Sequence, residues 1–217
     1  MRVMVLLAAL AVGLVWLVTG GTRTHAWNQK MTITVETPSG PVTSSSVVRV
    51  TFQRGIWWLR SLDMDKTQLH GESFALEVSP GKWLFALLPQ QENMLYHSIK
   101  QRSEVRDDRS KIKAYTQPIV VASRHYPNMV TFTDLLDPDS LLQVNPRQLS
   151  YRFGPGIEIS SITVQATKEK VTSGRVPNLL PWVCAMRGEN RTLGRTENRF
   201  ANVNIQAQNF VSPKACE

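Results

Sequence analysis

From Trp27 onward the chain alternates apolar and polar positions. In KMTITVET, Met31, Ile33 and Val35 fall on one side and Thr32, Thr34 and Glu36 on the other, which is the period-two mark of a half-buried strand. Pro38 and Gly40 interrupt the pattern. Val48, Val50 and Phe52 then resume it in SVVRVTFQ, and two such runs around a Pro/Gly break predict an antiparallel hairpin. A second pair follows. Phe74, Leu76 and Val78 alternate with Ser73, Ala75 and Glu77, SPG turns the chain, and KWLFALL is apolar on both faces. Such a run predicts a central strand covered on both sides, with a helix as the second cover. The stretch QQENMLYHSIKQRSE, 90–104, fits a helix: Met94, Leu95 and Ile99 share a stripe that no Gly or Pro interrupts.

Further on, PIVVAS and NMVTFTD predict short strands, and the charged stretch 105–113 predicts a loop or a frayed helix end. GIEISSITVQAT predicts another strand with a slip of phase. Ile157 and Ile159 share one face, then Ile162, Val164 and Ala166, so one extra residue at Ser160–Ser161 implies a β-bulge. From Lys168 the sequence is loop-like, and Val203, Ile205 and Ala207 in ANVNIQAQNF predict a last edge strand. The expected fold class is α+β: a mainly antiparallel β-sheet ectodomain with one or two short helices.

Ahead of this domain, Val3–Val18 is an unbroken run of 16 apolar residues. At 1.5 Å per residue it spans about 24 Å against a bilayer core of ~30 Å, so Thr19 to Gly21 and some thinning complete a crossing. The alternative is a cleaved signal peptide with Arg2 as its basic start and a cut near THA, before Trp27. Either reading exports the bulk of the chain. The organisation expected is an anchor or signal segment over 1–22, a β-rich domain over 27–167 and a loop-rich extension packed on it over 168–217.

The acids gather in VTFTDLLDPDSLLQVNPRQLSYRFGPG. Asp137–Pro138 and Asn145–Pro146 repeat one device, a short polar cap followed by proline at a first helical position. Asp139 then sits in a first turn, and a helix carrying Leu149 and Phe153 ends at Gly154 in a left-handed cap. Asp134, at a strand end, has no place in this grammar. A calcium loop is not expected, because Leu135, Leu136 and Pro138 stand where oxygen ligands and a glycine are needed.

Composition adds limits. Apolar residues make 42% and charged residues 19%, enough for a core in one domain. The net charge of +8 suits anionic lipid or glycan surfaces in an exported compartment, where nucleic acid is not the expected partner. Two cysteines, Cys184 and Cys216, either bridge the C-terminal tail or remain as two thiols. His25, His70, His97 and His125 stand apart from one another in sequence, so no metal or cofactor site is expected. No Gly-x-Ser-x-Gly elbow occurs, and no catalytic residue is assigned. Glu36, Glu72, Glu77 and Asp134 are the carboxylates from which a glycosidase-like pair would have to come, though all fit solvent-facing positions. In RGIWWLR, Trp57 and Trp58 between Arg54 and Arg60 form the candidate contact surface, joining aromatic area to positive charge.

In WNQKMTITVETPSGPVTSSSVVRV, in GESFALEV with GKWLFALL, in YPNMVTFTDLLDPDSLLQVNPRQLSYRFGPGIEISSITVQAT and more faintly in TENRFANVNIQAQNF, the chain resembles a recurrent group of uncharacterised bacterial membrane-anchored exported proteins. The resemblance implies an uncleaved anchor and brings no catalytic residues. Two functions follow as expectations. The first is a non-enzymatic envelope interaction or assembly module, held in the membrane through residues 3–18 and contacting another envelope protein or the membrane surface. The alternative is an envelope hydrolase acting on glycan or peptide with an unrecognised carboxylate pair.

Overall fold

The computed structural model of the chain describes residues 13, 23–54, 65–102, 109–194 and 204–217. Trp57, Trp58 and Arg60 of the candidate contact surface lie outside the described residues, as does the apolar run Val3–Val18 apart from Gly13. Among the described residues no helix is long and apolar enough to cross a membrane. The chain divides into a larger unit, Trp27–Val50 with Leu69–Glu217, and a smaller one that includes the described residues 23–26, 51–54 and 65–68.

The fold is α+β, with mostly antiparallel sheets and few short helices. Five strands form one sheet in the order β3-β2-β1-β9-β6: β1 is Arg23–Glu36, β2 Val42–Arg54, β3 Lys66–His70, β6 Ile119–Val120 and β9 Glu158–Thr167. A second sheet has the order β4-β5-β7-β8, with β4 Phe74–Ser79, β5 Lys82–Ala86, β7 Met129–Phe132 and β8 Leu141–Val144. The period-two reading of β1 holds from Trp27 through Gln29, Met31 and Ile33 to Val35, all buried. In the β1–β9 ladder Thr34 faces Ser161 and Val35 faces Ile159, so Ser160 is the extra residue of a bulge, where the phase slip in the sequence placed it.

The KWLFALL run is internal, as β5 lies between β4 and β7. One face of this sheet is covered by the C-terminal segment, with little helix in it. Ala75, Phe85, Val130, Phe132 and Leu141 share a buried cluster with Val176, Leu180, Val183, Phe210 and Val211. Its centre is aromatic: Phe85 and Phe132 meet edge to face at 5.6 Å, and Phe210 lies 6.0 Å from Phe85. Such pairs add roughly 0.5–1.5 kcal/mol each beyond their buried area. The expected helix is shorter than 90–104: a 3-10 turn at Pro89–Gln91 precedes α1, Met94–Arg102, whose Met94, Leu95 and Ile99 are buried as predicted.

Four local expectations change. Asp137–Pro138 caps a single 3-10 turn, Pro138–Ser140, after which the chain enters β8 instead of continuing as a helix. Pairing of Leu141 with Phe132 and of Gln143 with Val130 outweighs the capping signal. Asn145–Pro146 makes a turn closed by Gln148 N–H donating to Asn145 O at 2.9 Å, and α2 starts only at Ser150 and runs to Phe153. Gly154 follows at φ 112°, ψ 168°, outside the left-handed helical region expected of it yet still a conformation that only glycine adopts freely. The predicted edge strand around Ile205 is not a strand: residues 204–206 are irregular and Ala207–Asn209 is a 3-10 turn.

Candidate functional site

The C-terminal segment is bound to the rest of the larger unit by polar contacts at one buried carboxylate. Glu72 is fully buried. Its Oε1 accepts from Arg175 N–H at 3.2 Å and its Oε2 from Val176 N–H at 3.1 Å, at the start of α3, Arg175–Leu179. Burial pushes the carboxyl above the usual carboxylate range, and the amides of Val176, Arg175 and Gly174 with the Arg175 charge pull the other way. Beside it the tail is stitched to the strand end. Glu72 bridges Val211, Ser73 N–H donates to Phe210 O at 2.6 Å, and Ser212 Oγ takes Gly71 N–H at 2.9 Å and meets His70 Nδ1 at 3.1 Å. Cys184 and Cys216 form a disulfide in the same segment, with Cα atoms 5.6 Å apart. The Ser212–His70 contact is therefore part of a tie: the serine oxygen already accepts an amide proton and the residue is buried.

The other carboxylates named from the sequence stand apart. Glu77 Oε1 accepts Gly81 N–H at 2.8 Å, in the β4–β5 turn. Asp134 finds a local role, since its Oδ1 accepts Leu136 N–H at 2.9 Å and Ser140 Oγ donates to its carbonyl at 2.7 Å, an Asx-type turn that closes the loop ahead of β8. Asp139 pairs with Arg191 Nη2 at 2.5 Å. Glu36 lies directly opposite Glu158 across β1 and β9, a like-charged cross-strand pair that period-two reading of single strands cannot reveal. Arg54 ends β2, half-buried. Among the described residues no group of three or more His, Cys, Asp or Glu side chains is placed to hold a metal.

A concavity lies at the end of β7 and β8 where Met129 faces Val144, next to Ile205 of the C-terminal segment. It measures about 340 Å³, at the lower end of the ~300–1,000 Å³ range of small-ligand pockets. Pro127, Met129, Val144, Pro146 and Ile205 give it an apolar floor. Tyr126, Asn128, Gln143 and Asn145 supply neutral polar groups. Pro127 holds Tyr126 in an extended conformation, φ −60° and ψ 139°, which sets that residue at the rim. Asn145 is occupied, its Oδ1 accepting Arg147 N–H at 3.0 Å. The Tyr126 hydroxyl and the Asn128 carboxamide make no hydrogen bond among the described residues. Among the described residues no carboxylate, histidine or lysine lines the pocket; the polar groups there are amides and a phenol. The sequence reading did not find these residues: YPN carries no periodicity, and Gln143 reaches the pocket only because LLQV pairs as a strand.

Comparison with protein-family models, with curated proteins and with solved structures finds no match to this chain.

Proposed function

We propose that this protein is a membrane-anchored exported module of a bacterial envelope that works by binding, and that the pocket beside Tyr126 receives an uncharged segment of another envelope protein. The Cys184–Cys216 disulfide carries the export half of the reading, because such bonds persist in oxidising compartments outside the cytosol. The apolar run Val3–Val18 supplies the anchor, in keeping with the resemblance to uncharacterised membrane-anchored exported proteins. The neutral lining that the described residues give the pocket supports binding over hydrolysis, since glycosidic cleavage needs two carboxylates across a cleft. Glu72 does not serve as one of them, because both of its oxygens hold backbone amides.

The test is a photo-reactive residue at Tyr126 in the full chain, expressed in cells and irradiated. A discrete adduct with an envelope protein, abolished when Asn128→Trp fills the pocket, is expected. Adducts unaffected by Asn128→Trp, or none at all, refute the binding role of this pocket.

A further inference from the structure

A cationic cluster that the pocket does not use joins α1 to the turn Ser123–His125. The His97 and His125 rings stack, with centroids 5.5 Å apart and planes 5° apart. Arg124 Nε donates to His125 Nε2 at 3.2 Å, which requires that nitrogen to be unprotonated. Lys100 stands on the exposed face of α1 one turn from His97. On the other side the Arg109 guanidinium lies 4.3 Å over the Tyr96 ring and donates to Asn93 Oδ1 at 3.0 Å. Among the described residues the charged groups acting on His97 are His125, Arg109 and Lys100, all cationic or able to become so. Glu92, the nearby carboxylate, acts on Arg109. Lys100 and Arg124 are exposed and make no ion pair among the described residues.

We propose that His97, Lys100, Arg124 and His125 form a binding site for a phosphodiester anion, the chemistry shared by an anionic lipid headgroup and a free soluble phosphodiester. Two side chains with fixed charge and two imidazoles come together from two elements, and among the described residues no carboxylate pairs with them. Their mutual repulsion is relieved by an anion between them. Donors arriving from two elements suit the several oxygens of a tetrahedral phosphate better than the two of a planar carboxylate. In the free protein His125 accepts from Arg124. With an anion against Arg124, His125 takes a proton from solvent, and both groups then donate to the anion. Binding is thereby coupled to proton uptake, so affinity rises as pH falls through the imidazole range, by up to about tenfold per pH unit for one proton.

The experiment follows the ring C–H signals of all four histidines against pH, using the full chain in phosphatidylcholine nanodiscs. One arm adds soluble glycerophosphoglycerol, and the other replaces part of the lipid by phosphatidylglycerol, both at constant ionic strength. The expected result is a rise of about one unit in the titration midpoints of His97 and His125, while His25 and His70 move much less. Lys100→Gln with Arg124→Gln, exposed positions that leave the fold intact by circular dichroism, abolishes the rise. A rise in both arms identifies the phosphodiester as sufficient, and a rise with phosphatidylglycerol alone identifies the lipid headgroup as its source. No rise, an equal rise at all four histidines, or a rise that survives the double substitution overturns the site.

Discussion

Replacing Glu72 by alanine removes the acceptor for two backbone amides at the start of α3, that of Val176 buried and that of Arg175 part-buried. A buried amide without a partner costs roughly 1–3 kcal/mol and a part-buried one less, so two set an upper range of about 2–6 kcal/mol. Removing a buried carboxylate works in the other direction, since burial is the largest influence on this group. The net loss is therefore placed at about 2–4 kcal/mol, a large part of the ~5–15 kcal/mol stability of an ordinary domain. Glu72→Gln separates the two contributions. It keeps one acceptor oxygen, turns an NH2 toward the second amide, and discards the charge. Because the folded-state carboxyl is raised above its unfolded value, the folded protein takes up this proton at higher pH than the unfolded chain does. The group's contribution is thus fully present below the unfolded value and is lost as pH rises through the folded one. Urea unfolding across pH 4 to 8, with the disulfide intact, reads both effects. The wild type should show that slope and Glu72→Gln should lack it, while Glu72→Ala should lose stability at every pH. A Glu72→Ala protein within 0.5 kcal/mol (roughly the scatter of neutral surface changes) of wild type would refute the clamp.

Other outcomes follow from the same structure. Substituting Cys184 and Cys216 by alanine opens a loop of 32-residue separation and should lower stability by roughly 3–4 kcal/mol on the chain-entropy account, read by urea unfolding against the oxidised wild type. Burial first, then the charges of His125, Arg109 and Lys100, holds His97 below its usual value, so protonation disfavours the folded state; stability should fall as pH drops below about 6.5, and His97→Gln should flatten that limb in thermal melts. Glu158→Lys turns the like-charged pair with Glu36 into an attractive one and should raise stability by about 0.2–1 kcal/mol, an advantage that shrinks in high salt. Asp137→Ala should cost about 1 kcal/mol through loss of the bond from Asp139 N–H, measured by chemical unfolding.

The strands were legible wherever one face is buried and the other wet. Met31, Ile33 and Val35 opposite Thr32 and Thr34 identify β1, and the slip at Ser160 is visible because two alternating sets cannot otherwise share a face. The four-residue β8 was not legible. LLQV reads equally as a helix turn or a strand, and only Phe132 and Val130, across a loop, decide for the strand. The cover on the C-terminal-segment face of β5 was not legible, because period 3.6 is the one signal of a covering layer that a single sequence carries. Here the cover is largely irregular chain held by Glu72, the disulfide and the Phe210 contacts. Glu72 itself reads as a solvent-facing acid in GESF, since its partners lie 103 and 104 residues away. The pocket and the histidine stack share that cause: Tyr126 with Gln143, and His97 with His125, become neighbours only through tertiary pairing.

The central claim, an anchored chain whose folded part lies outside the cytosol, is tested most directly by combining carbonate-washed membranes with protease added to intact spheroplasts. The account predicts full-length chain in the washed pellet, with its domain digested from outside and Cys184 linked to Cys216 in the recovered peptides. Release into the wash, protection from external protease, or two free thiols in the recovered chain would contradict it.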